Sequence, residues 1–247
     1  MTEAARLPGR VTVLDGPLGV AVAAAEWLLG IAGERILGDG EFRVALAGGG
    51  TPRDLYQALA APPWRERTRW DRWRVFFGDE RACPPDDPRS NYRLVRDTLL
   101  DQVPIRAELV HRIEAERDDL DSAAAEYSTL LARTCPPSGP SPAPRLDCVL
   151  LGLGENGHTA SLFPGDPALE VRDRWAVQSR ADYAPYDRIT LTFPVLNAAA
   201  HVAFLVTGGT KGEALRGVVR GTVPAAGVWP PDGELRWFLD TAAAASL

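Results

Sequence analysis

Short apolar runs that stop at glycine and give way to a polar or helix-forming stretch recur along this chain and set its fold class. Arg10 to Leu14 predicts a strand, and residues 18–37 place Val22, Trp27, Leu28, Ile31 and Ile36 at helical spacing. FRVALA (42–47) reads as a buried strand, GGGT breaks it, and Pro52 stands at a first-turn position before DLYQAL. The same grammar returns at WRVFFGDE (73–80), LDCVLLGLG (146–154) and HVAFLVTGG (201–209). Residues 90–100 and 120–133 predict helices, residues 189–193 alternate like a strand, and Pro194 opens a short helix. Repeated strand–turn–helix units imply an α/β fold: a mostly parallel central sheet flanked by helices, a Rossmann-like layered sandwich. PPSGPSPAPR (136–145) resists both helix and sheet, yet the alternation continues across it. It therefore reads as an exposed loop, and residues 1–247 as a single domain.

Composition narrows the partners. With 45% apolar and 24% charged residues the chain can bury a sizeable core. A net charge of −6 argues against a general nucleic-acid binder, which presents a clustered basic surface. Cys83, Cys135 and Cys148 lack paired spacing, so they read as buried apolar thiols rather than disulfides or zinc ligands. No basic leader followed by an apolar stretch precedes Arg10, and no 18 uncharged apolar residues run together, so the expectation is a cytoplasmic protein without a membrane partner.

Ligands of open parallel sheets bind beyond the carboxyl ends of the strands, where each glycine turn falls. Gly48, Gly49 and Gly50 let a backbone approach an anion, Thr51 adds a hydroxyl, and a helix start adds unpaired amides. The same turn also has a purely conformational reading. GLGENG (152–157) satisfies GxGxxG, but it lies past mid-chain, Asp173 follows a proline-broken segment, and His158 crowds the place where a pyrophosphate needs a small residue; nicotinamide binding is disfavoured. His158, delivered by a strand-end turn, is the candidate general base. His111 and His201 have no supporting constellation and read as structural. Asp79, Glu80 and Arg81 adjoin at another strand end, where Arg81 either belongs to a solvated turn or faces a phosphate or oxyanion. Lys211 offers a further cation; alone it reads as a solvent-facing lysine. No metal-ligand spacing and no GxSxG elbow occur, and Ser161 reads as a helix-start hydroxyl.

Four blocks carry a resemblance over nearly the whole chain: ALAGGGTPRDLYQAL, FFGDERACPPDDPRSNYRLVRDTLL, DCVLLGLGENGHTASLFPG and RITLTFPVLNAAAHVAFLVTGGTKGEAL. In order and spacing they resemble the glucosamine-6-phosphate isomerase/6-phosphogluconolactonase family. The resemblance implies hydrolysis of the δ-lactone of 6-phosphogluconate without a cofactor; the expected partner is the sugar-phosphate lactone and the expected state a monomer or small homo-oligomer, and metal independence follows from the missing ligand spacing. It implies that His158 activates water, with Asn156 and Arg81 beside it in the catalytic set. It further implies that Gly48, Gly49, Thr51, Arg81, Lys211 and Arg188 hold the sugar phosphate. The chain departs from the family at Ala47, where serine is usual, and at Asn156, where aspartate is common; asparagine orients an imidazole but cannot stabilise imidazolium by charge. Two other functions compete: an amino-sugar-phosphate isomerase/deaminase, whose glutamate is replaced here by Phe163, and a non-catalytic sugar-phosphate effector-binding domain, which would not need His158, Arg81 and Lys211 together.

Overall fold

The computed structural model describes residues 6–138, 140–245 and 247; the first five positions of the N-terminal stretch read above, position 139 of the proline-rich stretch and position 246 lie outside the described residues. The strands are β1 (Arg10–Leu14), β2 (Phe42–Leu46), β3 (Trp73–Phe77), β4 (Asp79–Arg81), β5 (Cys148–Leu151), β6 (Ala176–Arg180), β7 (Asp187–Leu191), β8 (His201–Val206) and β9 (Glu234–Asp240). The helices are α1 (Gly16–Asp39), α2 (Gly50–Leu59), α3 (Trp64–Arg67), α4 (Asn91–Thr98), α5 (Leu120–Thr134), α6 (Phe193–Ala198), α7 (Gly212–Arg220) and α8 (Thr241–Ala244), joined in places by single 3₁₀ turns.

Six strands form a wholly parallel sheet in the order β1-β9-β8-β5-β2-β3. The chain steps outward from β2 to β3, then returns past β2 to lay down β5. The strand order therefore reverses between β2 and β5, and the crevice at their carboxyl ends is where a ligand is expected. The central parallel strands are largely apolar on both faces, as helices on either side require: β5 is buried throughout, and Val44, Ala45 and Leu46 of β2 are fully buried.

The stripe by which α1 meets the sheet differs from the expected one. Leu28 and Ile31 are buried, but Val22, Trp27 and Ile36 are only partly so; Val20, Ala21, Ala24, Ala25 and Ala32 complete the contact. Small alanines let the helix axis approach β9 and α2 closely. By length and composition α1 is apolar enough to cross a membrane, yet this face is packed against the core.

The expected strand–turn–helix grammar fails at two of the glycine turns. WRVFFGDE is not one strand. Gly78 is a corner whose N–H donates to the Leu46 carbonyl of the parallel sheet (2.9 Å), while its own carbonyl accepts from the Leu191 N–H (2.8 Å). Beyond it Asp79, Glu80 and Arg81 are not a turn but strand β4, edge of a second, antiparallel sheet β4-β7-β6. Likewise GLGENGH leads not into a helix but into a series of turns and an isolated Thr159–Leu162 bridge. Pro52 is the third residue of α2, which starts at Gly50.

Candidate active site

The carboxyl ends of the adjacent strands β2, β5 and β8 bring three turns together around a cavity of about 250 Å³. Gly48, Gly49 and Thr51 come from the first turn, His158 from the second, Lys211 from the third, and Arg81 from β4. Asn156 and Arg188 do not line the cavity; each stands behind a residue that does.

In the first turn Gly49 has φ 104°, a backbone state closed to most side chains, and it caps α2 without any side-chain acceptor. The opening amides of this ten-residue helix thus face the cavity with the positive end of the helix dipole behind them. Ala47, which takes the place of the family's serine, is locked by Tyr56: its N–H donates to the Tyr56 hydroxyl (3.0 Å), which donates to its carbonyl (2.7 Å). Thr51 Oγ1 lies 2.7 Å from Thr207 Oγ1 at the end of β8, tying the first turn to the third.

The imidazole of His158 is fixed on several sides. Asn156 Oδ1 accepts from the backbone N–H of His158 (3.2 Å) and lies 2.6 Å from Nδ1. An oxygen already accepting a backbone N–H must also be the acceptor here, so Nδ1 carries the proton and Nε2 presents a lone pair. Phe163 packs against the ring, tilted by 36°, at 4.5 Å between centroids. Burial pushes the imidazole below its ordinary pKa, with Lys211 and Arg188 acting the same way against Asp79 and Asp182. It is therefore neutral at pH 7, the form a base requires.

Gly154 explains the spacing of the second glycine run. A Cβ there would lie 2.1 Å from both Cε1 and Nδ1 of His158, so the glycine is room for the ring rather than for a pyrophosphate. We expect Gly154→Ala to remain folded and to lose at least about tenfold in kcat by tilting the base off its line; unaltered kcat in that variant would show the ring tolerates displacement.

Arg81 and Arg188 are register partners on β4 and β7. Like charges directly opposite one another destabilise a strand pair, and among the described residues neither guanidinium forms an ion pair. Arg81 donates to the Arg89 carbonyl and its buried Nε has no partner; Arg188 is 1% exposed and lies 5.3 Å from the Tyr183 ring. Burial first, then Arg81, push the Arg188 guanidinium below its usual range. Such a pair, with Lys211 and the α2 terminus, is suited to an anion of more than one charge.

Several roles escaped the sequence, although Asp79, Glu80 and Ser161 stood out in it as residues. Asp79 lines the cavity and is held by Asn91 Nδ2 (3.1 Å) and Ser161 Oγ (2.6 Å). Ser161 is thus not a helix-start hydroxyl: it is buried, in a turn, and bonded across to β4. Glu80 accepts from the backbone N–H groups of Arg81, Asn91 and Tyr92 and from Ser90 Oγ, which fixes the start of α4 and with it Asn91. Thr207 was legible as a hydroxyl before a glycine pair; Asn91 gave no local signal. His111 and His201 are structural as expected, the first beside Arg74 (3.2 Å) and the second bonded to the Asp147 carbonyl (3.0 Å). The three cysteines are buried and free. Among the described residues no cluster of histidine, cysteine and carboxylate groups is placed to hold a metal ion.

Comparison with known proteins identifies the family. The model of the family described as glucosamine-6-phosphate isomerases/6-phosphogluconolactonase matches residues 17–237. A 6-phosphogluconolactonase of Nostoc sp. is 44% identical over 215 residues, covering 84% of this chain and 85% of the relative. The chloroplastic 6-phosphogluconolactonase 3 of Arabidopsis thaliana is 35% identical, with 96% of this chain and 75% of the relative covered. Among solved structures, 6-phosphogluconolactonase from Trypanosoma brucei superposes with a TM-score of 0.86 at 27% identity, over 98% of this chain and 99% of that one. A monomeric glucosamine-6-phosphate deaminase has a TM-score of 0.80 at 21% identity, over 96% of this chain and all of that one, and shares the fold. With its family-specific blocks, its sheet order and this match over most of its length, the chain belongs to the glucosamine-6-phosphate isomerase/6-phosphogluconolactonase family.

Proposed function

We propose that this chain hydrolyses 6-phospho-D-glucono-1,5-lactone to 6-phospho-D-gluconate, the lactone-opening step of the oxidative pentose phosphate route, as a single domain with no cofactor. The observation that carries the reading is His158, its Nδ1 2.6 Å from Asn156 Oδ1, lining the same cavity as the glycine turn, Arg81 and Lys211.

In this reading the phosphate sits against the α2 amides, Thr51 and Lys211, with Arg81 and Arg188 completing the positive surround. That anchorage sets the lactone carbonyl near Nε2 of His158. Nε2 takes a proton from water as the oxygen attacks C1, and the charge that gathers on the carbonyl oxygen is stabilised by the cationic wall, Arg81 foremost. Collapse of the tetrahedral intermediate breaks the C1–O5 bond, and the imidazolium returns its proton to O5. The ring opens to the acid. The partner is the sugar-phosphate lactone; we place the protein in the cytoplasm, as a monomer or small homo-oligomer without nucleic-acid or membrane partners.

The deaminase reading finds less support, because Phe163 packs against the histidine where a carboxylate would be needed to open an amino-sugar ring. A pure effector-binding role leaves the fixed tautomer of His158 without purpose.

The test is acid release from freshly generated 6-phosphogluconolactone, read against spontaneous hydrolysis, beside glucono-1,5-lactone lacking the phosphate. Turnover well above background for the first substrate and much slower but measurable turnover for the second, both unaffected by a chelator, is the expected result; background rates for both would end the reading.

A further inference from the structure

We propose that Asp79 is the charge partner of His158, a positioning residue that holds the imidazolium formed in the reaction, a task the neutral Asn156 cannot perform. The proposal rests on the lactonase reading with His158 as base.

When His158 takes the proton from water it becomes a cation inside a cavity that also contains Lys211 and Arg81. Asn156 fixes the ring through Oδ1, but an amide brings a dipole and no charge. Among the described residues no carboxylate pairs with His158 within ion-pair distance. Around it stand Asn156 on its own loop and Phe163 tilted against it, with Asp79 from β4 and Lys211 after β8 on the same cavity wall; the charged groups that act on it from further off are Arg188 on β7 and Asp182 from the β6–β7 hairpin. Of the two carboxylates, Asp182 is exposed and screened by water, while Asp79 is 7% exposed on the cavity wall.

Asp79 is also held as a charge partner must be. Its hydrogen-bonding partners are the neutral groups Ser161 Oγ and Asn91 Nδ2, and among the described residues it has no ion pair to offset its charge. Asn91 cannot turn over, because its Nδ2 also donates to the Asp79 carbonyl (2.9 Å). Ser161 lies three residues beyond His158 on the same loop, so its bond to Asp79 ties the base's loop to β4. The Ser161 N–H in turn donates to Thr190 Oγ1 (3.1 Å), anchoring that loop to β7.

The experiment is the pH dependence of kcat and of kcat/KM for the wild type, Asp79→Asn, Asn156→Asp and the double variant, with 6-phosphogluconolactone. Asp79→Asn should lower kcat about tenfold or more, with little change in KM, and move the acid limb to lower pH, since one unit of imidazole pKa corresponds to a tenfold change. Asn156→Asp should restore most of that loss in the double variant by putting a charge on Nδ1. Unchanged kcat and acid limb in Asp79→Asn, or a loss that Asn156→Asp leaves in place, would overturn the proposal. Should Asp79→Asn fail to fold by circular dichroism, Asn156→Asp alone decides. An acid limb moved upward by well under one unit means that Asp79 already supplies the charge, and a rise of a full unit or more means that it does not. A wild type inactive on the lactone, or His158→Asn as active as wild type, would instead sink the underlying function.

Discussion

His158→Ala should keep its fold and lose about 10²- to 10⁴-fold in kcat on 6-phosphogluconolactone, the usual worth of a placed general base. The ring contributes little to the core: it lies at a cavity wall between Phe163, Gly154 and Asn156, so truncation leaves the sheet packing intact. What is lost is the Nε2 lone pair, which the Asn156 bond to Nδ1 keeps unprotonated and aimed. The pH profile gives the companion signature. Burial lowers the pKa from its ordinary 6.5, so the neutral, active form persists to lower pH than a free histidine would allow. As pH falls through the folded value the base is protonated and kcat/KM declines; the midpoint should therefore lie below 6.5. A rate within a few-fold of wild type in His158→Ala, or an acid limb above the free-imidazole value, would remove His158 from the chemistry.

The second large effect is expected at the anion wall. Arg188→Met and Lys211→Met should each lower kcat/KM for the phosphorylated lactone by about 10- to 10²-fold, since a charge-assisted hydrogen bond contributes about 1.5–3 kcal/mol. The same variants should act on phosphate-free gluconolactone like wild type, because the dianion is the group they meet. Arg188→Met has a further expected consequence. Removing one of two facing guanidinium groups relieves the β4–β7 pair of like-charge repulsion, so its melting temperature should not fall as it would on loss of a salt bridge. Equal losses on both substrates would show these cations to be structural supports. Arg188 is the sharper test: it does not line the cavity, and an effect confined to phosphorylated substrate would show that its charge, behind Arg81, reaches the anion.

These effects arise from residues of unequal legibility. The strands β1, β2, β5 and β8 and the helices α1, α2, α4 and α5 could be read because burial on a two-faced sheet and on a helix face leaves a local periodic mark. Glycine runs at strand ends marked the turns, and a histidine delivered by one of them marked the base. Gly154 shows the limit of such marks: the GxGxxG spacing was present, but only the folded loop reveals that the missing side chain makes way for His158.

By itself, then, the sequence determined the layered α/β class, the order of the four blocks and the identity of the chemical groups, since each depends on near-neighbour pattern. Tertiary structure alone decided that Gly78 turns the GDER segment into another sheet, that Arg81 and Arg188 face each other, and that Ser161 and Asn91 clamp Asp79. Those contacts join positions far apart in the chain, 107 residues in the case of Arg81 and Arg188, with no shared local periodicity. Their partners are selected by strand register and burial, quantities that exist only once the sheet is assembled.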